Sequence, residues 1–487
     1  MTRTPPFLPG VSHHAPHLAP ASGAPQARDG GGLGRRSLLA AAPVAALGVT
    51  GLAASGAVAQ PSSAAPASAV AGGGRHGRRR TLRFGVNYTP SKNWWHLWND
   101  FDERSVRDDL RQIASLGFDH IRVFCMWPLF QPDRAIVSER ALGLLDRIIR
   151  VADDSGLDVS VDFLQGHLSS FEFFPGWTVT NHKGSIFADP RIVAGQRLYV
   201  RKAAARIARH RNVLGSTLGN EMNLMTNRQE DKETPQQIGD WLDTLLGEAE
   251  RAAPGLDHVH SEFDNVWFWE GDAFRPEYAA TKGARTVIHS WVFGGAAQTY
   301  GPLGTGSVHF AEYLTELARS WHRPEDLDRT LWLQEIGAPL LGFDGKPLIP
   351  EGRAPEFAER TVRAAARCAG LWGITWWCSH DVSRDLPDFP ELEYSLGLIG
   401  QNGRPKPIGV RLSEIIREFD RTPPRPAART TAVVFSGDRT DARIGGKVMN
   451  AFMDQCSKGR APAIVRAELA DDAAYLKARG ITDLIRP

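Results

Sequence analysis

The chain has 487 residues, 42% hydrophobic and 23% charged, which is ample material for a large buried core. A formal net charge of +2 excludes a chain built to coat nucleic acid or an anionic membrane surface. The four cysteines, Cys125, Cys368, Cys378 and Cys456, form no Cys-x-x-Cys pair and no Cys/His spacing of a zinc site. A disulfide framework and a structural metal are therefore not expected, and a single bridge stays open.

Residues 1–34 are rich in Pro, Gly, His and Ala and show no apolar period. Arg35-Arg36-Ser37-Leu38-Leu39 then opens a weakly apolar stretch ending Ala57-Val58-Ala59. This is similar to a twin-arginine export signal, with cleavage after Ala59 and the twin-arginine export machinery as partner. An uncleaved anchor is the alternative, but Pro43, Gly48, Gly51 and Gly56 interrupt the apolar run. The expectation is a signal peptide over 1–59, a tether over 60–81, and a protein delivered to the periplasm or beyond.

From residue 82 to about 420, short β-like runs alternate with amphipathic helical runs, the pattern of parallel βαβ units. The expected strands are Leu82–Asn87, His120–Phe124, Asp158–Phe163, Val213–Gly219, His258–Glu262, Thr286–Ser290, Leu331–Gln334 and Gly373–Trp376. Helices are expected over Arg104–Leu116, Glu139–Asp154, Leu198–Arg209, Gln237–Arg251 and Ala358–Cys368. No Gly-x-Gly-x-x-Gly follows the first strand, which disfavours a dinucleotide fold and any such cofactor. The predicted fold is an α/β, (β/α)8 TIM barrel over 82–420. A Pro-rich linker over 421–429 and a small α/β segment of unassigned role over 430–487 follow it.

Barrel chemistry sits at the C-terminal strand ends, so carboxylates there are the candidates. Asn220-Glu221 closes the fourth expected strand, and Leu331-Trp-Leu-Gln-Glu335 closes the seventh. This arrangement resembles the clan A glycoside hydrolases, with family 5, the cellulase and endo-mannanase type, nearest. The resemblance implies a retaining cleavage of β-linked glycans without cofactor or metal, β-1,4-mannan being the favoured substrate. It further implies Glu221 as acid/base, Asn220 on the sugar 2-hydroxyl, and Glu335 as nucleophile. Arg122 matches the arginine beside the nucleophile, and His167 and His289 match family histidines. Trp377 matches the sugar platform after strand eight. One position departs: His289-Ser290-Trp291 stands where the family shows His-x-Tyr.

The residues agree on chemical grounds. Glycosidic cleavage needs a proton for the leaving oxygen and a carboxylate at the anomeric carbon, and strands four and seven face each other across a barrel mouth. Trp94, Trp95 and Trp98 follow the first strand, and many other tryptophans fall at strand ends, as suits an oligo- or polysaccharide partner. Many of these would equally be core. Glu262 is a rival acid/base without a preceding Asn. His258-x-His260 raises a metal-dependent barrel hydrolase as an alternative, although that class carries the motif after strand one. A non-catalytic sugar-binding barrel is the third reading, disfavoured by the two glutamates.

Overall fold

The computed structural model describes residues 80–179, 184–226 and 232–487. The inferred export signal, and the tether up to residue 79, lie outside the described residues. Eight parallel strands carry the architecture: β1 (Arg83–Asn87), β2 (His120–Met126), β3 (Asp158–Gln165), β4 (Val213–Thr217), β5 (Asp257–Val259), β6 (Thr286–Ser290), β7 (Leu331–Ile336) and β8 (Leu371–Trp376). Their order is β5-β4-β3-β2-β1-β8-β7-β6. The first strand, β1, pairs with both β2 and the last barrel strand, β8, which leaves β5 and β6 as the ends of the sheet. At the remaining seam the Ala284 N–H donates to the His258 carbonyl at 2.9 Å, and Arg285 pairs with Asp257 at 2.6 Å. The result is a nearly closed (β/α)8 barrel.

Local chemistry sets the helices between the strands. Asp102 accepts from the Arg104 and Ser105 N–H groups and so starts Glu103–Ser115. Thr234 and Gln237 form a capping box at the head of Pro235–Ala252. The faces carrying Val106, Leu110 and Ile113, and Leu142, Leu145, Ile148 and Ile149, are buried. One expected strand is shifted: β5 ends at Val259, because His260 and Glu262 bond to each other at 2.5 Å instead of continuing a ladder.

The barrel interior is polar and close-packed. At Gly85 a Cβ would lie 2.1 Å from His120 Nε2, so only glycine leaves room for that ring. His120 is fixed between Asp119 at 2.7 Å and Thr375 at 2.9 Å. Nearer the mouth lie Asn87, Arg122, Asp162 and Gln334, all buried.

Beyond the barrel, β9 (Thr431–Phe435), β10 (Ala463–Arg466) and β11 (Asp483–Ile485) form a parallel sheet in the order β10-β9-β11, with helices Lys447–Ser457 and Ala473–Ala478. This small α/β appendage packs on the barrel helix Phe310–Ser320. Ring centroids of Tyr313 and Phe452 lie 5.3 Å apart, and those of Trp321 and Phe435 5.8 Å. Arg429 reaches Glu312 at 2.7 Å and Glu316 at 3.1 Å, and Arg479 reaches Glu316 at 3.1 Å. Every residue of that helix is buried, covered by barrel on one side and appendage on the other.

Candidate active site

Parallel strands deliver their C-terminal ends to one mouth, and β7 presents Glu335 there. Glu221 follows β4 with a left-handed backbone (φ 48°, ψ 46°), a conformation that an L-residue pays for in strain and that turns its carboxyl inward. His289, near the end of β6, stands between the two carboxylates. Its Nδ1 is 2.8 Å from Glu221 and 3.4 Å from Glu335, and one polar atom of each of the three lies within 4.8 Å of the others.

Arg122 on β2 organises the floor. It forks onto Asp162 at 2.9 and 2.5 Å, pairs with Glu335 at 2.6 Å and donates to Asn220 Oδ1 at 2.7 Å. Asn220 Nδ2 in turn donates to the His167 carbonyl at 3.4 Å. His167 therefore meets the site through its backbone, in a short hairpin pairing His167–Leu168 with Phe171–Glu172. The Trp291 indole N–H donates to Glu335 Oε2 at 3.3 Å. Gly337 permits this: a Cβ there would press 2.7 Å from the Trp291 ring.

The two glutamates are held differently. Burial pushes the Glu221 carboxyl up to about 8, only partly offset by the charge of Arg122. Burial also raises Glu335, but the Arg122 ion pair pulls it back. Burial keeps His289 neutral by lowering its pKa. The Gln334 amide nitrogen donates to Thr217 at 3.0 Å, which leaves its oxygen to accept from His289 Nε2 at 3.2 Å. A neutral ring that donates through Nε2 accepts at Nδ1, so the proton between His289 and Glu221 resides on Glu221. One acid is thus protonated near neutrality while its neighbour is held by a cation.

Aromatic rings frame this centre. Trp377 meets Trp94 at 6.2 Å and Trp291 at 6.3 Å, both edge-on. Trp95 packs on Phe171 at 5.1 Å, Phe173 at 5.0 Å and Phe389 at 4.8 Å, which knits the loops after β1, β3 and β8 into a wall. Other strand-end tryptophans are core: Trp98 donates to the Phe124 carbonyl, Trp127 to Gln131, and Trp267 and Trp376 are fully buried.

No protein-family model matches the chain, and no curated protein matches it either. Solved structures do. A GH5_18 glycoside hydrolase from Streptomyces cattleya, in complex with Manβ1-4GlcNAc, is 47% identical over 83% of this chain and 99% of its own, with a TM-score of 0.80. A GH5_18 enzyme from Bifidobacterium longum subsp. longum is 39% identical over 83% of this chain and 97% of its own, with a TM-score of 0.79. The chain belongs to subfamily 18 of glycoside hydrolase family 5. It is a glycosidase acting on β-linked sugars. An exo-β-1,4-mannosidase from an Opitutaceae bacterium, 21% identical with a TM-score of 0.67, shares the fold.

Within this family 5 barrel, Glu221, Glu335, Asn220, Arg122, His289, Trp291, Trp377, Trp94 and Trp95 converge on the mouth, and the Trp291 indole supplies the bond expected from a tyrosine. The rivals do not converge. His258 is occupied by Ser216 at 2.8 Å and the Ala253 carbonyl at 3.0 Å, and Glu262 is bound to His260. Two carboxylates escaped the sequence reading. Asp264, buried, accepts the Trp291 backbone N–H at 3.1 Å, and burial holds it well above the usual range. Glu393 lies in the turn Glu391–Ser395 of the wall. Burial lifts it to about 7 against the Ser169 hydroxyl, with the charges of Glu335 and Glu221 adding to the rise. Neither follows an expected strand directly; Asp264 had only its closeness to β5 as a signal.

Proposed function

We propose that this protein is an exported, retaining, exo-acting β-mannosidase that cleaves short substrates such as Manβ1-4GlcNAc. One observation carries the reading: Glu221 and Glu335 share His289 in a single cluster, the first protonated by burial and the second tied to Arg122. Carboxyls about 5 to 5.5 Å apart suit a covalent route, whereas an inverting pair needs room for a water between them. In the first step Glu335 attacks the anomeric carbon. The glycosidic C–O bond breaks as Glu221 gives its proton to the departing oxygen. In the second, water attacks the same carbon, passes a proton to Glu221 and releases Glu335.

Mannose as the sugar rests on the disaccharide bound by the Streptomyces relative. Exo action rests on the wall formed by Trp95, Phe171, Phe173 and Phe389, which a long chain would have to cross. We therefore favour this over the endo-mannanase expected from the sequence. Export rests on Arg35-Arg36 and the Ala57-Val58-Ala59 site, and Arg35→Lys with Arg36→Lys should retain the precursor in the cell.

A 2-deoxy-2-fluoro-β-mannosyl reagent tests the chemistry. It should inactivate the enzyme and add its mass to the peptide containing Glu335. Labelling of another carboxylate would remove the nucleophile assignment. Product sizing tests the mode, since mannose should be the first product from β-1,4-mannooligosaccharides. Early mid-chain fragments would return the reading to an endo-mannanase.

A further inference from the structure

A row of aromatic rings leads outward from Trp291 at the catalytic centre. Trp291, bonded to Glu335, stacks on Phe293 with centroids 4.8 Å apart and planes 22° from parallel. Phe293 meets Phe343 edge-on at 4.6 Å. Phe343 sits on the loop after β7, in a turn closed by the Leu341–Pro347 bridge and the Gly342 N–H bond to the Lys346 carbonyl at 2.9 Å. Phe343 is 61% exposed.

Solitary exposed apolar residues are ordinary, as at Ile136, Val179 and Val410, and the equally exposed Trp269 joins no row of rings among the described residues. Phe343 differs because a continuous row of rings joins it to the nucleophile. A tight turn holds the phenyl in water where folding inward would bury it. Its neighbour Phe293, half-buried, backs one edge and leaves a face open. Apolar faces of pyranose rings stack on such surfaces.

The wall belongs to the loops after β1, β3 and β8, and Phe293 and Phe343 rise from the loops after β6 and β7. With the glycone enclosed on the wall's side, the departing sugar extends from Glu335 toward solvent, where Phe343 is the exposed end of the row. We propose that Phe343, buttressed by Phe293, is the platform on which the leaving sugar of a β-linked disaccharide stacks. This makes Phe343 a specificity residue for the leaving group. It rests on the β-mannosidase reading above.

The test compares two substrates of the full chain: Manβ1-4GlcNAc, whose leaving group is a ring, and β-mannosyl fluoride, whose leaving group is a single atom. Phe343→Ala should lower kcat/KM for the disaccharide relative to the fluoride by about tenfold, chiefly through KM. Phe343→Trp should restore the ratio. An unchanged ratio, or an equal fall on both substrates, overturns the platform. Fluoride hydrolysis by the wild-type enzyme tests the mannosidase reading separately. A binding measurement needs no turnover at all. Saturation-transfer NMR should show N-acetylglucosamine contacting the wild-type protein and losing that contact in Phe343→Ala; no contact in the wild type also overturns the platform.

Discussion

At the barrel mouth a single guanidinium, Arg122, serves both Glu335 and Asp162, while at the seam with the appendage Glu312 and Glu316 are met by Arg429 and Arg479. Both clusters are buried and both mix carboxylates with arginines. Their balance differs. At the seam burial pushes Glu312 up, but the His309 hydrogen bond and the Arg429 charge outweigh it, so Glu312 is ionised more readily than usual. At the mouth burial prevails at Glu221, which stays protonated to about pH 8. Charge that is matched holds two parts of a chain together. Charge left unmatched stores a proton, here on the residue proposed as the general acid.

The largest effect expected from breaking this contrast is catalytic. Glu221→Ala should lower hydrolysis of Manβ1-4GlcNAc by about a hundredfold to ten-thousandfold, while a dinitrophenyl mannoside still glycosylates Glu335. Azide should then restore turnover and give a β-mannosyl azide. An α-azide product would mean that the two glutamates exchange roles.

Next comes the seam. Arg429→Met leaves Glu312 and Glu316 short of a cation and should cost about 3 to 5 kcal/mol, read by denaturant unfolding. Activity per folded molecule should hold, because the seam does not touch the mouth. Unchanged stability would show that the appendage is anchored by its apolar contacts alone.

Glu221→Gln should move stability in the opposite direction. Between about pH 4.5 and 8 the unfolded chain releases a proton that the native Glu221 retains, so this residue's contribution is full at low pH and falls as pH rises through that window. Glutamine removes the dependence. The variant should unfold later than wild type by about 3 kcal/mol at pH 7 and by little at pH 4.5. The same proton sets the basic limb of the wild-type kcat/KM profile near pH 8. A variant no more stable at pH 7 than wild type would mean that Glu221 is already ionised there.

The smallest expected change is at Trp291. Trp291→Phe removes one donor to Glu335 and should reduce kcat/KM by about fivefold. Since that bond favours the ionised carboxylate, the acid limb of the profile should move upward. An acid limb that does not move would assign the indole to packing.

The two candidate glutamates were legible because each sits at the end of a recognisable β-run, and Arg122 through the family resemblance alone, since β2 is buried along its whole length and shows no alternation. Glu393 was not legible. It lies in a loop some fifteen residues beyond β8, and only folding brings it against the wall. The tryptophans were over-read, since a ring at a strand end looks alike whether it turns into the mouth or, like Trp127, into the helix layer. Helix Phe310–Ser320 was missed for a related reason. Glu312, Glu316 and Arg319 suggest a solvated face, yet the appendage covers that face. The last strand, Asp483–Ile485, is three residues long and pairs only with β9, too little pattern to announce itself.

On the proposed exo-β-mannosidase reading, the wall of Trp95, Phe171, Phe173 and Phe389 closes one side of the mouth, so substrate and product share an opening and the enzyme lets go of its substrate after every cut. The water that frees mannose from Glu335 must come through the seat the leaving sugar has just vacated. Any alcohol that lingers in that seat competes with water for the anomeric carbon. At high sugar concentration the proposed retaining mechanism therefore predicts transfer of mannose to a new partner alongside hydrolysis.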